Sequence, residues 1–335
     1  MRLIMCRQAQ FTGTPQKEFP WTPSELELFP ENFVSKSRMN RLIKILLAAG
    51  VIFLIASCDE DEVIYNNGFR IIEYTPAPGQ YINGKGAAGF NGEKSKEEAV
   101  EYANDRLSGG LWISLGGFGG YVVGMFDFPV ENDGGYNISI TGNAVKGSSE
   151  PGIVWVMEDK NGNNIPDDTW YRLRGSEESD EKITKDYAVT YFRPEQPSSP
   201  VAWSDNLGNS GSIDYLSAYH NQDFYYPEWI EADSYTLTGV CVAFTSYVDE
   251  YGNYMSEDFE WGYADNYSEI DRLASEPGKS VNLFKIDNAV DEDGNHINLD
   301  RINFVKIQTG VNAKSGWLGE VSTEISAVND YNMVK

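Results

Sequence analysis

The chain has 335 residues, 41% of them hydrophobic and 13% aromatic, which is enough apolar material for a large folded core. Its 26 Lys and Arg against 51 Asp and Glu give a formal net charge of −25. That balance excludes nucleic acid as a partner, because no basic cluster follows Arg41 to offset repulsion by a phosphate backbone. Two histidines (His220, His296) and three cysteines (Cys6, Cys58, Cys241) are too few to build a multi-histidine zinc centre or a disulfide framework.

Residues 1–38 are of mixed polarity and carry no export pattern, so they read as an extension ahead of a true start at Met39. From there Arg41 and Lys44 precede an apolar run from Ile45 to Ile55, too short to read comfortably as a spanning helix. The ending Leu54-Ile55-Ala56-Ser57-Cys58 resembles the bacterial lipobox, in which signal cleavage exposes a cysteine that carries the lipid. An uncleaved anchor is the alternative. Asp59-Glu60-Asp61-Glu62 is a solvated tether as a bare charge run. Behind a lipobox cysteine it resembles the acidic export signal with which Bacteroidetes display lipoproteins on the outer face of the outer membrane. The expected organisation is a signal peptide over 39–57, an acidic tether over 58–67 with Cys58 as lipid anchor, and one β-sandwich domain over 68–335. Without residues 1–57, which hold seven of the cations and four of the acids, the net charge is −28.

Ser95-Lys96-Glu97-Glu98 is a capping-box pattern followed by Ala99, Ala103 and Leu107, and Gly109-Gly110 closes the run, so a helix is expected over 96–107. Downstream the period shortens. Leu111–Leu115, Tyr121–Phe128, Tyr136–Ile140, Ile153–Met157 and Tyr187–Phe192 are short β-branched or aromatic runs between Gly, Asn, Asp and Pro, which predicts strands. Further strands are expected at Ser234–Thr245, Ile302–Thr309 and Gly319–Ala327, with long polar, aromatic intervals at 203–229 and 247–280. The predicted class is all-β and mainly antiparallel: a jelly-roll-like sandwich with long loops and one short N-terminal helix.

Between two of these strands, Asp159, Asn161, Asn163, Ile165, Asp167 and Asp168 place oxygen donors at alternate positions around Gly162, as a loop wrapped on Ca²⁺ requires. The pattern resembles the calcium loops of thrombospondin type 3 repeats. The twelfth position from Asp159 is Trp170, where an EF-hand would need a bidentate Glu, so an EF-hand is rejected. A plain Asn/Gly turn is the alternative. The glycines of Ser114-Leu-Gly-Gly-Phe-Gly-Gly-Tyr121 lack the Lys-Ser/Thr of a phosphate loop and lead into a strand, so a tight bend with close backbone packing is expected.

Four segments together carry a wider resemblance: SLGGFGGYVVGMFDFPVEN (114–132), SSEPGIVWVMEDKNGNNIPDDTWYRLRGSE (148–177), WGYADN (261–266) and FVKIQTGVNAKSGWLGEVSTEI (304–325). They resemble a family of Bacteroidetes surface lipoproteins usually labelled cell-surface proteins, sometimes with a PKD-domain note, and the similarity runs from about Gly68 to Val328. The resemblance implies a secreted β-sandwich related to jelly-roll surface domains, frequently encoded beside outer-membrane nutrient importers, some of them in corrinoid uptake loci.

Aromatic residues beside polar ones mark the expected ligand surface: Tyr225, Tyr226 and Trp229; Trp261, Tyr263 and Asp265; and Trp317 with Glu320. A flat ring next to hydrogen-bonding groups suits a sugar or the edge of a corrin. The alternative is that these tryptophans are core residues. Glu320 and Glu324 lie at even spacing beside Trp317 and are the first carboxylate pair to test for hydrolysis. Neither histidine sits in a nucleophile-elbow context. The expected function is non-catalytic capture of a glycan or a corrinoid for an outer-membrane importer, with structural Ca²⁺ and membrane contact through the lipid only. A glycan-processing hydrolase and a structural adhesin are the alternatives.

Overall fold

A computed structural model describes residues 67–179, 181–273 and 279–335. Cys58, the signal segment 39–57 and the acidic run 59–62 lie outside the described residues. Every strand ladder among the described residues is antiparallel. One sheet has six strands in the order Phe69–Thr75, Tyr121–Glu131, Arg301–Thr309, Gly152–Met157, Tyr171–Leu173 and Ala289–Val290. A second, of four, runs Arg272–Leu273, Ser280–Phe284, Ile138–Gly142 and Ala327–Asp330. Val122, Val154, Val156, Val305 and Ile307 of the first share a core with Ile138, Ile140, Phe284 and Val328 of the second. Alternation at period two turns these branched residues inward, and burying them is the main driving force for joining the sheets.

A third sheet, Ser234–Val242, Ile183–Phe192, Val201–Asp205 and Ser210–Ile213, closes a separate core around Phe118, Tyr187, Val189, Tyr191 and Leu237. Two two-stranded ribbons complete the set, Ser246–Val248 with Tyr254–Ser256 and Ile113–Ser114 with Glu324–Ile325. The fold is therefore an all-β, sandwich-like antiparallel arrangement with one α-helix among the described residues, which form one compact unit. Among the described residues no helix is long and apolar enough to cross a membrane.

The helix spans Lys96–Ser108, one residue beyond the expectation. Ser95 Oγ accepts from the Glu98 N–H at 3.2 Å, and Glu98 Oε2 reaches back to the Lys94 N–H at 2.7 Å, so the capping box closes one residue further out than its usual form. Ala99, Tyr102 and Ala103 face the core. Asn104 accepts from the Ile71 N–H and donates to the Ile71 carbonyl, both at 2.9 Å, which occupies a free backbone pair on the edge strand of the six-stranded sheet.

The glycine run 116–120 is the tight bend its composition predicts. Gly116 has φ +70°, and a Cβ there would collide with the Ala77 carbonyl; a Cβ on Gly120 would collide with the Leu115 carbonyl. Gly116→Ala is expected to destabilise by about 2–4 kcal/mol, through left-handed strain added to a backbone clash. A denaturant midpoint unchanged from wild type would show that the bend relaxes freely.

The long intervals are less irregular than the sequence suggests. They contain the strands Val201–Asp205, Ser210–Ile213 and Tyr254–Ser256, whose Ser, Gly and Asp content hides the alternation. Conversely, the expected strand 319–327 is only Glu324–Ile325, followed after Ser326 by Ala327–Asp330, because Gly319 at φ +95° breaks the extended path.

Candidate functional site

Trp317, Glu320 and Glu324 come together on a cavity of about 330 Å³. The 3₁₀ turn Gly316–Leu318 lifts the Trp317 ring to the mouth, where it is 57% exposed. Tyr219, 69% exposed, stands beside it with ring centroids 6.1 Å apart. Gly316, at φ +55°, lies so close under the Tyr254 ring that no Cβ fits there, which fixes the turn against that ring. The mouth is thus two exposed flat faces on a held loop.

Carboxylates form the floor. Glu320 is buried, and its Oε1 accepts from the Gln80 N–H at 2.6 Å, while Oε2 has no hydrogen-bond partner among the described residues. Gly79 makes room for this approach: a Cβ there would lie 2.8 Å from Glu320 Oε1. Burial pushes the Glu320 carboxyl up to about 8, against the pull of the Gln80 N–H. Glu324 is buried beside it, with Oε1 accepting from Ser322 Oγ at 2.8 Å. Ser322 Oγ in turn lies 2.6 Å from Ser114 Oγ and accepts from the Gly116 N–H at 3.1 Å, so the glycine bend orients the hydroxyl that faces Glu324.

Glu150, half-buried at the start of the strand Gly152–Met157, hydrogen-bonds Glu324 side chain to side chain. Burial, the Glu324 charge and that bond hold the Glu150 carboxyl well above its ordinary range; burial also raises Glu324, while the same bond and Ser322 draw it down. Burial thus raises both carboxyls, and the two act as one pair in taking up and releasing protons. Behind them Asp265, fully buried and at φ +52°, accepts from the Asn143 and Ala144 N–H groups at 2.7 and 2.8 Å and from the Glu324 N–H at 2.9 Å. Burial and then the Glu324 charge push Asp265 up to about 8.

The side wall is aromatic. Tyr81 meets the His220 ring edge-on at 4.7 Å and Trp112 at 5.1 Å. Burial and the neighbouring Glu324, Glu150 and Glu320 push the Tyr81 hydroxyl up to about 12, so it remains a donor facing those carboxyls. Burial lowers the His220 imidazole, which keeps it neutral. A second cavity, of about 530 Å³, shares Gln80, Tyr81, Tyr219 and His220 with the first.

Several residues expected on a ligand surface are core instead. Tyr225 and Tyr226 are fully buried: the Tyr225 hydroxyl donates to the His220 carbonyl and accepts from the Leu216 N–H, and that of Tyr226 donates to the Ala232 carbonyl. Trp229 packs on Phe90 and Tyr74. Tyr263 is buried against Phe259, with its hydroxyl accepting from the Glu177 N–H. Trp261 is half-buried on a separate cavity of about 270 Å³, and Asp265 lies behind the floor, held by backbone bonds, rather than on an exposed ligand surface. For the three tyrosines the reason is common: a ring whose hydroxyl finds a backbone partner is stable inside, and sequence alone does not show the partner.

Asp159, Asn161, Asn163 and Asp167 are brought together in an exposed loop. Asp159 accepts from the Gly162, Asn163 and Asn164 N–H groups, while Asn161 and Asn163 donate to the two Asp167 oxygens. Asp168 Oδ2 accepts from the Lys160 N–H, and the Ile165 carbonyl, expected as a ligand, accepts from the Asp167 N–H at 2.8 Å. We propose Ca²⁺ as the partner of this loop, with the two asparagine amides turned to present oxygen. Chelator-stripped protein is then expected to gain melting temperature with CaCl2, and Asp159→Ala to lose most of that gain; an equal gain in the variant would assign the effect elsewhere.

The sequence reading missed Glu150, Tyr81, Tyr219 and Ser322. Only Glu150 carried a signal, a lone acid between Ser149 and Pro151 ahead of an apolar strand. No family model matches this chain, and a search of curated proteins finds no match.

Proposed function

We propose that this chain is a non-catalytic capture protein of the Bacteroidetes surface-lipoprotein type, anchored through Cys58 at the outer face of the outer membrane. It holds a small polyhydroxylated nutrient for an importer. The observation that carries this reading is the pairing of two exposed rings, Trp317 and Tyr219, with a floor of hydrogen-bonding carboxyls in one cavity. Rings stack on the apolar face of a sugar while carboxyls accept from its hydroxyls. The cavity beneath Trp317 has the volume of a site for one or two sugar rings, so a glycan is favoured; a corrinoid would have to extend into the adjoining cavity past Tyr81.

Hydrolysis is the second reading, favoured by one observation. Glu320, pushed up to about 8 with an unpartnered oxygen, has the protonation of a general acid. Titration of the protein against a glycan panel and cobalamin, with product analysis of every binder, separates the two. Saturable binding without product supports capture. Product formed by wild type and lost in Glu320→Gln would overturn it.

A further inference from the structure

Four acids, Glu150, Asp265, Glu320 and Glu324, are gathered at one end of the sandwich from three distant segments of the chain, all but Glu150 almost fully buried. Among the described residues, no lysine or arginine is among the main charges that act on them. Burying carboxyls without a countercharge is costly, and proteins offset it with protons or with a bound cation. Ligand oxygens of Glu150, Asp265 and Glu324 all lie within 4.8 Å of one another. Oxygens that surround one Ca²⁺ at about 2.3–2.6 Å stand no more than about 5 Å apart, so a single ion reaches all three. An independent observation points the same way: Glu320, 4% exposed and pinned through Oε1, borders the same cavity with an Oε2 that has no hydrogen-bond partner among the described residues.

We infer that the floor of this cavity is a divalent-cation site, with Glu150 and Glu324 as principal ligands, Asp265 behind them and Glu320 bordering the same cavity. Calcium fits better than magnesium, because an irregular set of carboxylates from separate segments does not impose the near-ideal octahedron that Mg²⁺ demands. The site is distinct from the 159–168 loop and stands whether or not the cavity captures a nutrient.

The test uses chelator-stripped protein carrying Asp159→Ala, which disables the exposed loop, titrated calorimetrically with CaCl2 and, in parallel, with MgCl2. One equivalent of Ca²⁺ is expected to bind, more tightly than Mg²⁺, and Glu324→Gln in the same background is expected to weaken it at least tenfold. No binding to the Asp159→Ala protein, or equal affinity in the Glu324→Gln variant, would overturn the site. Should Glu324→Gln fail to fold, terbium luminescence of the Asp159→Ala protein decides. Tyr81 borders the same cavity and can sensitise the ion, so emission displaced by CaCl2 is expected, and its absence overturns the proposal.

Discussion

The melting temperature of the metal-stripped protein is expected to fall by roughly 10 °C between about pH 5 and pH 9, the reverse of a protein held together by paired carboxylates. Glu320 and Asp265 are pushed up to about 8, and Glu150 and Glu324 are raised with them. A carboxyl whose folded value lies above its unfolded value binds its proton more tightly when folded. Its stabilisation is complete below the ordinary carboxylate range and is lost as pH rises through about 8. Tyr81, raised to about 12, does not titrate in this window, and His220, lowered from 6.5 by burial, acts with the opposite sign only at its acid end. Asp133, Asp205, Asp249 and Asp291, which hydrogen bonds hold below the usual range, act with the opposite sign but only at lower pH. One unit of displacement is about 1.4 kcal/mol, so Glu320 alone contributes on the order of a few kcal/mol. Glu320→Gln is expected to flatten part of the slope. A melting temperature constant or rising from pH 5 to 9 would mean that the floor is ionised and satisfied without protons.

Trp229→Ala is expected to cost about 3–5 kcal/mol, the largest loss from any one aromatic substitution considered. Trp229 is 4% exposed and joins two stacks: Phe90 at 5.6 Å, itself stacked on Tyr102 at 4.0 Å, and Tyr74 at 5.9 Å. Tyr102 and Tyr74 are further held by hydroxyl bonds to the Ala88 and Ser114 carbonyls, at 2.8 and 2.6 Å. Removing the indole leaves a void among groups that cannot collapse, because each is tied to a different segment. Chemical denaturation checks the size. A loss below about 1 kcal/mol would return Trp229 to the surface role that its sequence context suggests.

The contrast between Trp229 and Trp317 shows what was legible in the sequence. The helix was legible because Ser95, Glu98 and Gly109 act within one turn of the residues they fix. The glycine bend was legible because no other residue type tolerates such close backbone approach. Exposure of an aromatic ring is set by what packs on it from elsewhere, and Trp229 and Trp317 both sit in polar, glycine- or proline-flanked contexts with opposite outcomes. Glu320 and Glu324 were legible as a pair by spacing alone. Glu150 reaches Glu324 only because Gly152–Met157 pairs with Arg301–Thr309, a ladder that brings together segments some 150 residues apart and has no local signature.

Whether the cavity under Trp317 holds the ligand is decided by one comparison of affinities. For whichever glycan or corrinoid binds wild type, Trp317→Ala is expected to bind at least tenfold more weakly with an unchanged melting temperature, because its ring is exposed and stacks on the ligand rather than on the core. Undiminished affinity in a folded Trp317→Ala protein would place the ligand elsewhere and contradict the assignment.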